Sequence, residues 1–400
     1  MTKPAHFDLV IAGAGILGAA CAWQYVQRYP GKSVLVVDKE GQPASHQTGR
    51  NSGVVHAGVY YPADSLKARY CRQGLQDTLA FCRQEDIAWL QCGKLIVATD
   101  ETELARLQQL AVRSQENGLS PQWLETAELS RREPAIRGTA AIFVEQTAIT
   151  DYPAITRRML SKAVSGGAEL WFNSELKGIS EQPDQVTLRL SDGRQVKAQQ
   201  FLNCTGLMAD RVISMQGLES DFRILPFRGE YYQLPPKYNQ LVNHLIYPVP
   251  DPALPFLGVH LTRMIDGTVT VGPNAVLALA REGYSWADIN LKDCWDNLTY
   301  QGFWPLAKRY WRSGLNELHQ SLRQSEYLKL VQKYCPQISV EDLLPYRHGV
   351  RAQAVSDKGE LLHDFRFVET QRTLHVGNAP SPAATSAIPI ARAVVDKLMG

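Results

Sequence analysis

Several things are missing from this 400-residue sequence, and each absence narrows the field. Charge of one sign is missing: 42 Lys and Arg oppose 40 Asp and Glu, a net of +2. An electrostatic nucleic-acid binder needs a strong basic excess, so no nucleic-acid partner is expected. A cysteine pattern is missing. The seven cysteines (Cys21, Cys71, Cys82, Cys92, Cys204, Cys294, Cys335) are odd in number and contain no CxxC pair. Neither a disulfide framework nor a zinc site reads out of that, and a reducing compartment is favoured, so a cytoplasmic location is expected. A membrane-spanning run is missing too. Leu9–Trp23 (LVIAGAGILGAACAW) carries no charge, but a spanning helix needs about 20 apolar residues. The same stretch has the look of a secretory h-region, yet Asp8 sits at its edge and its glycines serve no purpose there. Internal repeats and low-complexity tracts are absent. So are HExxH, a nucleophile elbow and any carboxylate cluster, which sets metal and acyl chemistry aside and predicts no metal.

What is present is ordinary globular usage, with 44% hydrophobic and 20% charged residues. The length suggests two or three domains at about 150 residues each. Eight Trp, 16 Tyr and 11 Phe leave aromatic surface for a large planar ligand.

The first 40 residues carry the first strong signal. Phe7–Ala12 (FDLVIA) reads as a buried parallel strand. Gly13-Ala14-Gly15-Ile16-Leu17-Gly18 follows, then an Ala-rich helix over 19–29, a Pro30-Gly31 stop, and a second strand over 33–37 ending at Asp38. Each position has a physical use. Gly13 permits a tight turn, Gly15 lets backbone approach a pyrophosphate, and Gly18 lets helix and strand pack closely. The phosphates face the free N–H groups of the helix. Asp38, 20 residues after Gly18, is placed to accept hydrogen bonds from ribose hydroxyls and argues against a 2′-phosphate. This is a dinucleotide cradle, and it does not by itself separate NAD from FAD.

His46–Tyr61 (HQTGRNSGVVHAGVYY) is a polar loop with Gly49, Gly53 and Gly58. A second glycine-containing loop so soon after the first suggests a ligand that extends past the pyrophosphate, as a flavin does. Here the chain resembles the D-amino-acid-oxidase-like FAD-dependent oxidoreductases, and among them the L-2-hydroxyglutarate dehydrogenases (or oxidases). The likeness continues through CGKLIVAT, PFRGEYY, NHLIYPVPDP, PFLGVHLTR, VGPNAV, GVRAQAV and NAPSPAATSAIPI, and so spans nearly the whole chain. Many relatives close the flavin site with a Gly-rich turn. Here that turn, Asn378–Ser386, has no glycine, a variant that the hydroxyglutarate-type members share.

The resemblance implies an α/β fold. A Rossmann-like FAD-binding domain is assembled from discontinuous segments, 1–90, 145–224 and 345–400. A substrate domain, 91–144 and 225–344, is inserted and built on a mixed or antiparallel sheet. It implies FAD held by Gly13, Gly15, Ile16, Leu17, Gly18, Asp38 and Lys39, by Thr48, Asn51, Ser52 and Gly53, by Thr205 and Gly206, and by Pro380, Ala383 and Thr385. It implies oxidation of a 2-hydroxy acid to a 2-oxo acid, with electrons passed to membrane quinone. The alternatives are another 2-hydroxy acid, glycerol 3-phosphate, or an amine or amino acid with oxygen as acceptor. The hydroxyl proton needs a base, and a neutral imidazole suits it. His56 and His260 are the candidates, with His348 behind them. A dicarboxylate needs cations. Arg351 matches the arginine that holds the α-carboxylate in the amino-acid-oxidase relatives. Arg228 is the candidate for the distal carboxylate, with Arg50 and Arg263 as fallbacks. Tyr60, Tyr61 and Tyr247 offer hydroxyl donors.

Coarse patterning predicts a helix over 64–84, a strand over 93–98 and an amphipathic helix over 99–117. Strands are expected over 170–179, 185–190 and 194–201, with hairpin turns at Ser191–Gly193 and Asp266–Gly267. Residues 286–344 read as helices punctuated by Pro305, Gly314 and Pro336. Within them, Phe303–Arg312 (FWPLAKRYWR) puts Trp304, Ala307 and Trp311 on one face and Lys308, Arg309 and Arg312 elsewhere. That suits peripheral contact with the cytoplasmic face of the inner membrane, or equally a core-packing helix with solvated charges.

Overall fold

A computed structural model describes residues 5–254 and 256–399. Pro255, which opens the PFLGVHLTR string, lies outside the described residues.

The apolar run at the start forms the strand Ala5–Ala12, central in an eight-stranded sheet. Val34–Val37 and Gln195–Asn203 flank it in parallel, and Glu169–Trp171 and Thr373–Asn378 extend the parallel core on either side. Leu9, Ile11, Val34 and Val36 are fully buried, each worth roughly 1.5–3 kcal/mol relative to exposure. On the edge away from Ala5–Ala12, Gln195–Asn203 is shared between two partners. Its first half pairs antiparallel with Val186–Leu190, and its second half pairs parallel with Thr373–Asn378. The helix after the glycines, Ile16–Arg28, is buried on nearly every side from Ile16 to Val26. Its alanines allow close packing against the helices Tyr152–Ser165 and Ala387–Met399. Sequence positions near 10, 160 and 390 therefore share one core, which places both chain ends in a single nucleotide-binding unit.

A second eight-stranded sheet is mixed. Lys94–Ala98 and Leu245–Pro248 run parallel at its centre, and antiparallel strands extend it on both sides. Period-2 alternation divides its faces. Leu95, Val97, Ile246, Leu261 and Val271 pack outward against the helix Gln324–Gln332. Lys94, Ile96, Tyr247 and His260 face inward, toward Val54, Val59 and Tyr60 of the long loop. A three-stranded sheet joins the two units, with Phe222–Gly229 between Val276–Leu277 and Gly349–Ser356.

Two expectations change. The apolar run over 170–179 is two strands, Glu169–Trp171 and Leu176–Glu181. They lie at opposite sides of the same sheet because the chain breaks at residues 172–175, where Asn173 takes a left-handed φ of 52°. Pro305 and Gly314 do not divide helices either. Both lie within the helix Phe303–Leu322, Pro305 in its first turn, where the missing N–H has no helical partner to lose. The departure from helical geometry comes at Tyr310.

Candidate active site

A cavity of about 1290 Å³ runs from the glycine loop, past the long polar loop, to the inward face of the second sheet. Its first end is a cradle. Gly13 has φ +104°, and a Cβ there would sit 2.5 Å from the Cys204 carbonyl oxygen. A Cβ on Gly18 would sit 1.9 Å from the Gly13 carbonyl oxygen. Both glycines are sterically required. Gly18 serves helix–strand packing and does not line the cavity, whereas Gly13, Gly15, Ile16 and Leu17 do. The N-cap Gly15 has no side chain to cap the helix, so beyond the Ile16 N–H, which Thr48 takes, its first-turn N–H groups are left for an anion. Asp38 also lines the cavity. One carboxylate oxygen accepts from the Ala14 N–H at 2.6 Å and the other from the Glu40 N–H at 2.9 Å. Thr48 lines it while its hydroxyl accepts from the Ile16 N–H at 3.0 Å.

The loop between is self-braced. Asn51 donates to the Thr48 carbonyl at 2.8 Å and accepts from the Gly53 N–H at 2.8 Å. Asn51 and Ser52 line the cavity, and Gly53, with φ +69°, turns the chain behind them. Lys39 lines it and pairs with Glu40 and Glu282. With His46 these two carboxylates form the one cluster of metal-ligand types among the described residues, and Lys39 already supplies its positive charge. Thr205 and Gly206 reach the cavity from the end of Gln195–Asn203, and Thr205 is anchored on Asn203. Pro380, Ala383 and Thr385 close it from the C-terminal turn.

The second end is chemically different. His56, Tyr60, Tyr61, Tyr247, His260 and Arg351 all line it. His56 is fixed at the backbone. Its N–H donates to the Thr385 hydroxyl at 3.1 Å, and its carbonyl accepts from the Cys71 thiol at 3.2 Å. Its ring Nδ1 is buried without a hydrogen-bond partner. Burial, then the charges of Lys94, His260 and Lys67, hold its pKa well below the usual histidine range. His260 stacks on Tyr247 with ring centroids 3.9 Å apart, and its Nδ1 lies 3.1 Å from the Gly258 carbonyl, which assigns the proton to Nδ1 and leaves Nε2 as acceptor. Burial lowers its pKa to about 3. The site thus holds two neutral imidazoles.

Arg351 stands over the Phe256 ring at 4.6 Å, and Phe227 packs on Phe256. No carboxylate forms an ion pair with it among the described residues, and burial lowers its pKa. Arg228 does not belong here. Phe227 pairs with Arg351 across the sheet, so alternation sends Arg228 to the opposite face. There it is fully buried, 2.9 Å from Glu230 and stacked over Trp286 at 4.3 Å. Arg263 does not line the cavity, and Arg50 does while stacked over Tyr284 at 3.8 Å. The His348 ring is taken up behind the wall, where its Nδ1 accepts from the Tyr231 N–H at 3.2 Å.

A nucleotide cradle leading directly into a chamber with a buried guanidinium and neutral imidazoles is the layout expected of a flavin enzyme. The comparisons agree. The FAD dependent oxidoreductase (DAO) profile matches residues 8–397.

The chain belongs to the FAD dependent oxidoreductase family.

Within this family it is 51% identical over 392 residues to the L-2-hydroxyglutarate dehydrogenase of Escherichia coli, covering 98% of this chain and 93% of that protein. It is 39% identical over 409 residues to the mitochondrial L-2-hydroxyglutarate dehydrogenase of Homo sapiens, covering 98% and 88%. Its fold matches the FAD-bound L-alpha-glycerophosphate oxidase of Mycoplasma pneumoniae with a TM-score of 0.80 at 21% identity, over 99% of this chain and 95% of that one. Glycine oxidase from Geobacillus kaustophilus follows at 0.74 and 15%, over 99% and 95%. These two show the fold alone. The residues present fit FAD. Gly13 admits no side chain, the N-cap Gly15 supplies none, and Asp38 faces the cavity beside them.

Two residues that line the cavity, and a third behind its wall, are not evident in the sequence. Lys67, at the start of the helix Leu66–Gln84, lines the cavity. Tyr231 lines it from PFRGEYY. Lys94 is fully buried beneath the Tyr247 ring, 4.1 Å from its centroid, with its pKa lowered to about 8 by burial. A signal for Lys94 existed: it is the lone cation in an otherwise apolar strand, KLIVA.

Proposed function

We propose that this chain oxidises L-2-hydroxyglutarate to 2-oxoglutarate with FAD as cofactor. The observation that carries the reading is the unpaired Arg351 guanidinium beside the neutral His56 and His260. The fork of Arg351 takes the carboxylate next to the carbinol carbon as a bidentate partner. That contact fixes the carbinol carbon with its hydroxyl toward His56. His56, whose ring Nδ1 is buried without a partner among the described residues, accepts the hydroxyl proton. Tyr247 donates its phenol hydrogen to the alcohol oxygen, and His260, stacked on it, holds that ring in place. Bound FAD supplies the two-electron acceptor for the hydrogen on the carbinol carbon. The cradle residues named above, with Thr205, Gly206 and the 380–385 turn, hold that cofactor. Relatives named for this substrate at 39–51% identity support the choice of 2-hydroxy acid.

The segments 1–90, 145–224 and 345–400 form the FAD-binding unit, and 91–144 with 225–344 form the substrate unit. Electrons pass on to membrane quinone from a cytoplasmic protein resting on the inner membrane. An exposed apolar face supports this. Trp304 and Trp311 are 61% and 55% exposed, and Leu315 and Leu322 continue the face along the helix Phe303–Leu322. Leu291 and Trp295 lie exposed on the preceding helix, Leu291–Leu298. Lys308, Arg309 and Arg312 are exposed beside them, a combination suited to an anionic bilayer surface. Among the described residues no helix is long and apolar enough to cross a membrane.

Steady-state assays with a soluble dye as acceptor test the substrate. L-2-hydroxyglutarate turns over, while its D-enantiomer, glycerol 3-phosphate and glycine do not. Preference for any of those three overturns the reading.

A further inference from the structure

The substrate chamber contains a second cation with no assigned role. Lys67 lines the cavity on the side of His56 and Arg351, with its ammonium 4.7 Å above the Tyr61 ring. It sits in the first turn of a 19-residue helix capped by Ser65, with no acidic residue in that turn. A cation is disfavoured there, because the helix N-terminus is itself positive. Burial, with the charge of Arg351 added, lowers its pKa to about 8. Asp364 lies on the favourable side of that balance but forms no ion pair with it. Two cations thus converge on one chamber, and among the described residues no carboxylate pairs with either. An anionic ligand with two negative groups resolves that arrangement.

We propose that Lys67 holds the distal carboxylate of the substrate and so selects dicarboxylic over monocarboxylic 2-hydroxy acids. This rests on the reading above for the position of the first carboxylate. Of the other cations, Arg113 lines the cavity from an exposed position on its helix, and three more are committed elsewhere. Arg228 pairs with Glu230 on the far face of its sheet. Lys94 is sealed behind the Tyr60 and Tyr247 rings and does not line the cavity. Arg50 is stacked on Tyr284 and donates to the His348 carbonyl. A lysine ammonium suits a flexible terminal carboxylate, while the planar fork of Arg351 suits the carboxylate whose orientation the reaction depends on.

The test uses the holoenzyme and two ligands that do not turn over, glutarate and butyrate, in calorimetric titrations. Wild-type protein prefers glutarate. Lys67→Met, at unchanged flavin content, lowers the glutarate-to-butyrate affinity ratio by about 10- to 100-fold. Lys67→Arg keeps the preference. An unchanged ratio in Lys67→Met, or equal losses for both ligands, overturns the proposal. A wild-type enzyme that leaves L-2-hydroxyglutarate unoxidised, but shows the Lys67-dependent glutarate preference, overturns the substrate reading and supports the dicarboxylate site.

Discussion

At one end of the cavity, the parts that receive the nucleotide come largely from Gly13 to Asp38, a single strand–loop–helix–strand stretch. At the other, the residues proposed to receive the substrate come from five places: the 46–61 loop, the start of the 66–84 helix, and the strands carrying Tyr247, His260 and Arg351. The first end works through backbone. Its selectivity lies in the absence of a side chain at Gly13 and in N–H groups aimed at an anion. The second works through buried charge. Its selectivity lies in cations kept from any carboxylate partner and in imidazoles kept neutral. Backbone sites need local geometry and tolerate almost no substitution. Charge sites need tertiary enclosure, and individual residues in them are graded in effect.

That contrast can be broken at either end. The largest effect is expected from Gly13→Val. The new Cβ meets the Cys204 carbonyl at 2.5 Å in a left-handed φ. The folded protein should lose its visible flavin absorbance and all activity; a fully yellow variant would remove the cradle from the account. His56→Ala should retain flavin and lose on the order of 10²–10⁴-fold in kcat, the usual contribution of a positioned base. His260→Ala should lose less, and a reversal of that order would move the base to the second sheet. Arg351→Met should cost about 2–5 kcal/mol, ~30- to 5000-fold in kcat/KM, with flavin content intact.

The pH profile sharpens the comparison further. His56 and His260 are already neutral, so kcat/KM should hold as pH falls through about 6.5, the ordinary histidine range. Lys67 loses its charge as pH rises through about 8, so kcat/KM should fall above that point. Tyr61, Cys71, His56, Arg351, His363 and Asp364 are the ionisable groups around it. Lys67→Arg should move that alkaline limb upward, and a limb fixed near 8 would instead point to Lys94. The smallest effect on catalysis lies farthest from the cavity. Lys308→Glu, Arg309→Glu and Arg312→Glu together should abolish co-sedimentation with anionic vesicles, at about 1 kcal/mol per charge, and leave dye-linked turnover unchanged. Unchanged vesicle binding refutes the membrane-facing role of that helix.

The same division governs what could be read in advance. The cradle was legible because its residues are contiguous and each glycine has a local reason. Arg351 was reached through family likeness, which ties a residue to a place without requiring the register. Arg228 was misplaced because two neighbouring strand residues face opposite ways, and only pairing with Gly349–Ser356 shows that Phe227 points inward. Lys67 was missed because a lysine at the start of a helix looks solvated. In the fold it is half-buried and lines the cavity beside Tyr61. The run over 170–179 was merged because an apolar stretch does not announce that its halves lie at opposite sides of one sheet.

The central claim is that this cavity oxidises L-2-hydroxyglutarate at FAD. Anaerobic mixing of the purified holoenzyme with this acid tests it most directly. Flavin absorbance should bleach with one 2-oxoglutarate formed per flavin, and the D-enantiomer should leave the spectrum unchanged. A spectrum that L-2-hydroxyglutarate leaves unbleached, or bleaching without 2-oxoglutarate, would contradict it.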